Sequence, residues 1–198
     1  MISLKDAVQS LYDIAVVQGK STSTIRLQVL AEYCVQELEC RGLGGVETEA
    51  PIPGAGREKQ WDVAWSHGGK CRLGISLKSI LRNLAGTVPN RIDDLMGETA
   101  NVQLHSPEIV IGYIMIFDAQ TDSLTSRGAT WHDILDERLS SLSGRRAPSW
   151  ATGMIEGHVL VKVDFSTSAS IVSVSQPMSR FFDMLVEQVL TRNPGAVT

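Results

Sequence analysis

An aspartate and a lysine on neighbouring segments are the residues of this sequence best suited to chemistry. Asp62 lies in the alternating segment 60–66, and Lys78 ends the segment 71–78. The intervening residues 66–70 include two consecutive glycines, which adopt the positive φ angles of a tight hairpin. Antiparallel pairing can therefore bring Asp62 near Lys78. A carboxylate can hold a hard divalent cation such as Mg²⁺, and a lysine can orient or help deprotonate an attacking water. The pair predicts metal-assisted phosphodiester cleavage, with a purely structural Asp–Lys pair as the alternative.

The hydrophobic pattern of the chain predicts how these residues are positioned. Apolar residues at helical spacing predict helices, and alternating or continuous apolar runs predict strands. The predicted helices cover 3–18, 23–41, 90–105, 130–142 and 177–190, and the predicted strands cover 46–50, 60–66, 71–78, 109–117, 159–165 and 171–174. The nearly continuous apolar run 109–117 indicates a strand covered on both faces. Pro51, Gly86 and Pro89 are assigned to loops, and residues 193–195 to a frayed tail. No linker separates two cores, so 1–198 is predicted to be one α/β domain.

The order of these elements resembles the PD-(D/E)XK nuclease superfamily. A helix, three strands, a helix and a further strand follow one another over about residues 22–117, with Asp62 on the second strand and Ser76-Leu77-Lys78 ending the third. The stretch 74–79, followed by 90–98, looks most like bacterial type II restriction endonucleases. The resemblance implies a restriction-endonuclease-like αβββαβ core with a mixed central sheet flanked by helices, which the strands and helices of 130–191 complete.

Two positions depart from the family pattern. Trp61 precedes Asp62 where the family name has proline, and that position varies in the superfamily. Ser76 stands where the family has a motif acid. A serine hydroxyl is a poor anionic metal ligand, so the predicted site lacks one negative charge. Some restriction enzymes of this superfamily also have serine there and recruit a glutamate from the following helix.

Four acids are candidates to replace the missing charge. At 100° per residue, one stripe of the helix 90–105 carries Arg91, Asp94, Glu98, Asn101 and His105. Glu98 is the first choice because it lies closest to the apolar arc of that helix, and Asp94 is the second. On the helix 23–41, Glu37 falls inside the apolar face, where a carboxylate needs a partner or a metal, whereas family spacing points to Glu32. Solvated helix faces are the alternative for all of these residues.

The resemblance implies a Mg²⁺-dependent endonuclease of double-stranded DNA, most like a site-specific type II restriction enzyme. Asp62, Glu98 and the main-chain carbonyl of Leu77 would bind the metal, for which Mn²⁺ can substitute. Lys78 would position the hydroxide, and Ser76 could bind a metal-bound water. Cutting both strands implies a homodimer, and a separately encoded cognate methyltransferase is an expected partner. A repair or recombination nuclease of the same fold, or a catalytically degenerate DNA-binding member, remains the alternative.

The amino-acid composition of the chain argues against some classes of function. The 198 residues carry 18 Lys and Arg against 22 Asp and Glu, a net charge of −4, which argues against a histone-like mass binder of nucleic acid. Local basic sites remain compatible with this balance. A rim of basic residues is expected in loops and turns around the cleft, comprising Lys59, Lys70, Arg72, Arg82, Arg91, Arg127, Arg145 and Arg146. With no long apolar run, no signal pattern and three cysteines without CxxC spacing, the chain is expected to be cytoplasmic, with reduced thiols and no membrane partner.

Overall fold

The computed structural model describes residues 1–195, which form a six-stranded mixed sheet with helices on both faces. The α-helices are α1 (Leu4–Tyr12), α2 (Gln28–Glu39), α3 (Leu84–His105), α4 (Trp131–Leu142) and α5 (Met178–Arg192). The strands are β1 (Glu47–Ile52), β2 (Lys59–His67), β3 (Lys70–Ile80), β4 (Val110–Asp118), β5 (Gly157–Asp164) and β6 (Ser170–Val174). The predicted α/β class and order of elements are confirmed. Residues 196–198 of the predicted domain lie outside the described residues.

The strands lie side by side in their order along the chain, from β1 to β6. The β3–β4 and β4–β5 pairs are parallel, and the other three pairs are antiparallel. Parallel neighbours need a crossover connection, and α3 and α4 supply the two that are required here. Strand β4 lies inside the sheet and is buried from residue 110 to residue 117, as its continuous apolar sequence predicts.

Two apolar clusters cover the two faces of the sheet. One contains side chains of α1, α2 and α5 and is called the α2 face below, and the other contains side chains of α3 and α4 and is called the α3 face. Along β3, Leu73, Ile75 and Leu77 belong to the α2 face, whereas Ile80 belongs to the α3 face. Because successive strand residues point to opposite faces, Ser76 and Lys78 are on the α3 face.

Helix α3 begins six residues earlier than the sequence predicts. Asn83 has a φ of 51° and caps the helix, because its side chain accepts a hydrogen bond from the Gly86 N–H at 3.1 Å. The Thr87 hydroxyl donates to the Asn83 carbonyl at 2.8 Å. Pro89 follows within the second turn, where its missing N–H removes a single backbone bond. The assignment of Gly86 and Pro89 to a loop is therefore wrong.

The remaining boundaries show smaller differences. The predicted helix 3–18 ends in a π-helical turn (Asp13–Val17), and the predicted helix 23–41 begins with a 3₁₀ turn (Thr24–Leu27). Pro51 is inside β1 rather than in a loop, which an edge strand tolerates because part of its backbone needs no partner. Asn193 is buried and its side chain donates to the Val189 carbonyl at 2.9 Å, so the predicted frayed tail is wrong at this residue. No described helix is long and apolar enough to cross a membrane.

Candidate active site

The antiparallel hairpin of β2 and β3 brings Asp62 and Lys78 together. Its ladder ends at the pair Val63–Ile75, and Asp62 directly precedes Val63. The Asp62 Oδ2 atom accepts a hydrogen bond from the Leu77 N–H at 2.7 Å and lies 3.7 Å from the Lys78 Nζ atom. Both side chains are about three-quarters buried, with 25% and 23% of their surfaces exposed. The carboxylate is thus held by the neighbouring strand while a ligand can still reach it.

A close contact between the two strands supports this position. The Trp61 ring packs over Gly74, where an added Cβ would lie 2.9 Å from the ring carbon Cε3. Trp61 is buried on the α3 face. The glycine therefore lets the indole of the residue before Asp62 lie against β3, and this packing limits how the end of β2 can move.

Ser76 occupies a buried position beside this pair. Its side chain is on the α3 face with Lys78, and the residue is 2% exposed. Its Oγ atom has no hydrogen-bond partner among the described residues. Buried hydroxyls are normally paired, so this unpaired oxygen on the α3 face is an exception.

Glu98 is directed towards the sheet rather than towards solvent. It forms an ion pair with Lys59 of β2, and its side chain is 16% exposed. Asp94, one turn earlier on α3, pairs with Arg91 at 3.3 Å and is 53% exposed. The structure therefore brings the first-choice acid to β2, the strand that carries Asp62, but in contact with a lysine.

Tyr113 marks the region where these charges meet, and sequence reasoning missed it. It lies on β4 opposite Ser76 and is buried. Burial raises the pKa of its phenol, the carboxylates of Glu98, Asp94 and Asp62 raise this pKa further, and the Arg91 guanidinium lowers it. Tyr113 is therefore a neutral, buried phenol within the electrostatic influence of these charges. An apolar run such as 109–117 gives no sign that its tyrosine lies near charged groups.

The acids of the first long helix are engaged along that helix. Glu37 pairs with Arg41 at 2.8 Å and keeps 22% of its side chain exposed. Glu32 accepts a hydrogen bond from Gln28 at 3.0 Å. An arginine one turn away thus provides the partner that Glu37 needs at the edge of the apolar face.

A different acid shares a cleft with Asp62. This cleft has a volume of ≈ 360 Å³, and its walls include Thr24 and Gln28 near the start of α2 and Glu49 of β1. Glu49 has a φ of 50° and interrupts the pairing of β1 with β2, which resumes at Ala50. Such an irregularity breaks the two-residue alternation on which strand-face predictions depend. The alternation of residues 46–50 predicts an exposed strand edge for Glu49, and the residue is exposed, but this pattern gives no sign that it borders the cleft of Asp62.

The oxygen donors around Asp62 suit a hard cation. Among residues 1–195, no group of three or more His, Cys, Asp or Glu side chains lies close enough to hold a metal ion. The Asp62 and Glu49 carboxylates line one cleft, whereas the Ser76 hydroxyl is buried on the α3 face and Glu98 is paired with Lys59. Mg²⁺ keeps several waters and is often bound by one or two carboxylates together with substrate phosphates. This donor set therefore fits Mg²⁺ or Mn²⁺ better than zinc.

The expected basic rim is only partly formed. Arg145 is 3% exposed and pairs with the buried Glu156, so its assignment to the rim is wrong. Arg72 pairs with Glu108 at 2.6 Å. Arg82, by contrast, is exposed and lies two residues after the end of β3.

No protein-family model matches this sequence, and no curated protein matches it. The interpretation of the site therefore depends on its residues, their geometry and the family resemblance of the motif.

Proposed function

We propose that this chain is a Mg²⁺-dependent endonuclease that hydrolyses phosphodiester bonds of double-stranded DNA. The observation that carries the proposal is the 3.7 Å approach of Lys78 Nζ to Asp62 Oδ2 on adjoining strands. The order α2-β1-β2-β3-α3-β4, with helices on both faces of a mixed sheet, is compatible with the αβββαβ core of the restriction-endonuclease-like fold. This order supports the proposal that the motif works in its usual context.

Each residue of the site has a role that its position supports. Asp62 would hold the metal together with the Leu77 carbonyl and Glu98, and the Leu77 N–H fixes the orientation of the Asp62 carboxylate. When bound, the metal supplies polarisation of the phosphate and acidification of water. Lys78 orients the attacking water and offsets negative charge at the phosphate. The hydroxyl of Ser76, which is otherwise unpaired, would form a hydrogen bond with a metal-bound water.

The proposed activity is that of a type II restriction enzyme, and cutting both strands would require a homodimer. One site makes one incision, so two copies related by a two-fold axis would cut a duplex and match a palindromic target. A separate methyltransferase would protect the same sequence in the host, and both proteins would act in the cytoplasm.

A catalytically degenerate DNA-binding protein is the second candidate. Two observations favour it, namely serine at position 76 and the contact of Glu98 with Lys59. Position 76 then supplies no carboxylate, and Lys59 neutralises that of Glu98. Asp62, 3.7 Å from Lys78, is the one motif carboxylate that remains. In this case the protein binds duplex DNA without cutting it.

Incubation of the purified chain with plasmid and bacteriophage DNA tests both candidates. We expect cleavage with Mg²⁺ or Mn²⁺, none in EDTA, and recovery with excess Mg²⁺. Asp62→Asn and Lys78→Ala should each lower the rate by at least about 10²-fold. Lys5→Ala, at an exposed lysine of α1, is the matched control and should leave the rate unchanged.

The cleavage pattern separates the possible outcomes. Discrete fragments indicate a restriction enzyme, whereas a smear indicates a less specific nuclease of repair or recombination type. DNA binding without cleavage would support the degenerate candidate. Activity that survives exhaustive chelation, or a Lys78→Ala variant as fast as the wild type, would contradict the proposed mechanism.

A further inference from the structure

A pocket beside the candidate site is rich in arginine. It has a volume of ≈ 360 Å³ and lies at the end of β3. Its principal side chains are Arg26, Arg82, Arg91, Thr22, Ser79 and Thr87, which together are called the basic pocket. No aspartate or glutamate lines it. In a chain with a net charge of −4, three arginines around one cavity are a local concentration of positive charge.

Arg26 is held in place and keeps donors free. Its Nε atom donates to the Ser79 hydroxyl at 3.0 Å, and its Nη1 atom donates to the Ser23 carbonyl at 2.6 Å. A guanidinium has five N–H donors in a planar fork, so most of them remain for a ligand. Burial lowers the pKa of Arg26, and the positive charge of Arg91 lowers it further. An anion bound between the two guanidinium groups would relieve this repulsion.

The start of α3 adds to the positive potential. Arg82 is exposed and directly precedes Asn83, the residue that caps α3. The free N–H groups of a helix N-terminus favour anions, and α3 has 22 residues. Arg91 contacts Asp94 through Nη1 at 3.3 Å, whereas its buried Nε has no partner among the described residues. Donors from two elements besides β3 thus converge on the pocket.

We propose that the basic pocket binds a phosphate of the nucleic-acid backbone next to the phosphate that is cut. This inference deepens the proposed function and depends on it for the identity of the ligand. Arginine forks and hydroxyls match the several oxygens of a phosphate group. Residues 21–28 contribute to both the basic pocket and the cleft that contains Asp62, so one nucleic-acid strand can contact the two together. The contact fixes the position of the strand without reading its sequence.

Salt-dependent DNA binding tests the proposal without requiring cleavage. Fluorescence anisotropy of a labelled duplex in EDTA gives the association constant of the wild type and of Arg82→Ala at several salt concentrations. Each phosphate contact contributes about 0.9 to the slope of log K against log salt. We expect Arg82→Ala to reduce this slope by about 0.9 and to weaken binding equally for unrelated sequences. Arg180→Ala, at an exposed arginine of α5, is the control and should leave the slope unchanged.

Further measurements identify the source of the phosphate and test whether the variants are folded. Duplexes with and without 5′-terminal phosphates should bind equally, since a backbone diester is the ligand. Affinity that appears only with a terminal phosphate would overturn the proposal in favour of a strand-end site.

Arg26→Lys keeps the charge but loses the planar fork of donors. This variant should also weaken binding, while its melting temperature stays near that of the wild type. An unchanged slope in Arg82→Ala would overturn the proposal. Arg82-dependent binding without any cleavage would support the pocket while contradicting the nuclease.

Discussion

The two acids of α3 that could join Asp62 are each held by a basic side chain. Glu98 contacts Lys59, and Asp94 contacts Arg91 at 3.3 Å. A cation that takes Glu98 as a ligand must therefore displace the lysine ammonium. The ion pair keeps the negative charge of Glu98 neutralised in the free protein and makes metal binding a competition between two cations for one carboxylate.

This competition predicts opposite effects for the two partners. Glu98→Gln keeps the shape of the side chain, removes its charge and should lower the cleavage rate by about 10²-fold or more. Lys59→Gln frees the carboxylate and should lower the Mg²⁺ concentration needed for half-maximal cleavage. Asp94→Asn should have a smaller effect than Glu98→Gln. Titration of cleavage rate with Mg²⁺ measures all three variants. If Lys59→Gln needs as much Mg²⁺ as the wild type for half-maximal cleavage, or more, the lysine does not compete with the metal.

The cysteines differ in environment and should differ in reactivity. Cys40 is exposed, Cys71 is partly buried and Cys34 is fully buried. Burial raises the pKa of the Cys71 thiol to about 11 and raises that of Cys34 further. Because the thiolate is the nucleophile, iodoacetamide at about pH 8 should modify Cys40 first and leave Cys34 unreacted in the folded chain. Mass spectrometry of time points checks the order. Early modification of Cys34 would show that α2 opens.

At the scale of elements, apolar periodicity was sufficient to place nearly every helix and strand. It failed where a single polar contact decides the local structure. The Asn83 cap starts α3 upstream of Pro89, although glycine and proline usually end regular elements. The irregularity at Glu49 turns a residue of β1 without changing any apolar position. Such features depend on individual hydrogen bonds, which a window of hydrophobicity does not record.

Two glycines in regular elements differ in the space that surrounds them, a difference that the sequence pattern does not show. Gly112 of β4 lies against α5, where an added Cβ would be 2.8 Å from Leu185 Cδ1 and from Phe181 Cζ. Gly97 of α3 has no atom within 4 Å of such a Cβ. Gly112→Ala should reduce the free energy of unfolding by about 1–3 kcal/mol through overpacking. Gly97→Ala should increase it by about 0.5–1 kcal/mol, since alanine favours a helix. Urea unfolding measures both, and a neutral Gly112→Ala would show that α5 can shift.

At the scale of the molecule, the candidate site could be predicted only as far as local chain geometry extends. A tight hairpin relates Asp62 to Lys78 over a short distance in sequence, so strand pairing alone brings them together. The approach of Glu98 to Lys59, and of Arg26 to Ser79, depends on how α3 and α2 pack on the sheet. Those contacts join elements that are distant in sequence, and no spacing rule specifies them.

A buried ion network at the opposite end of β4 from this site joins several elements of the molecule. Glu156 accepts from Arg192 of α5 at 2.7 Å and from Arg145 at 3.4 Å. Its other oxygen accepts from the N–H of Ile111 in β4. Arg192 also lies under the ring of Trp150, 4.4 Å from its centroid. The network therefore connects α5, β4 and the segment before β5, and it depends on every member being present.

Removal of one member should destabilise the whole chain rather than the site. Arg192→Ala leaves Glu156 with Arg145, at 3.4 Å, as its one cationic partner in a dry environment, and it should reduce the free energy of unfolding by about 3–5 kcal/mol. Arg180→Ala, on the same helix but exposed, should change it by no more than about 0.5 kcal/mol. Lys78 pairs with Met115 in the second half of β4, whereas Glu156 binds Ile111 in the first half. Below its lowered melting temperature, Arg192→Ala should therefore keep the metal dependence of the wild type. A loss of cleavage in a fully folded Arg192→Ala would show that the two ends of the sheet are coupled.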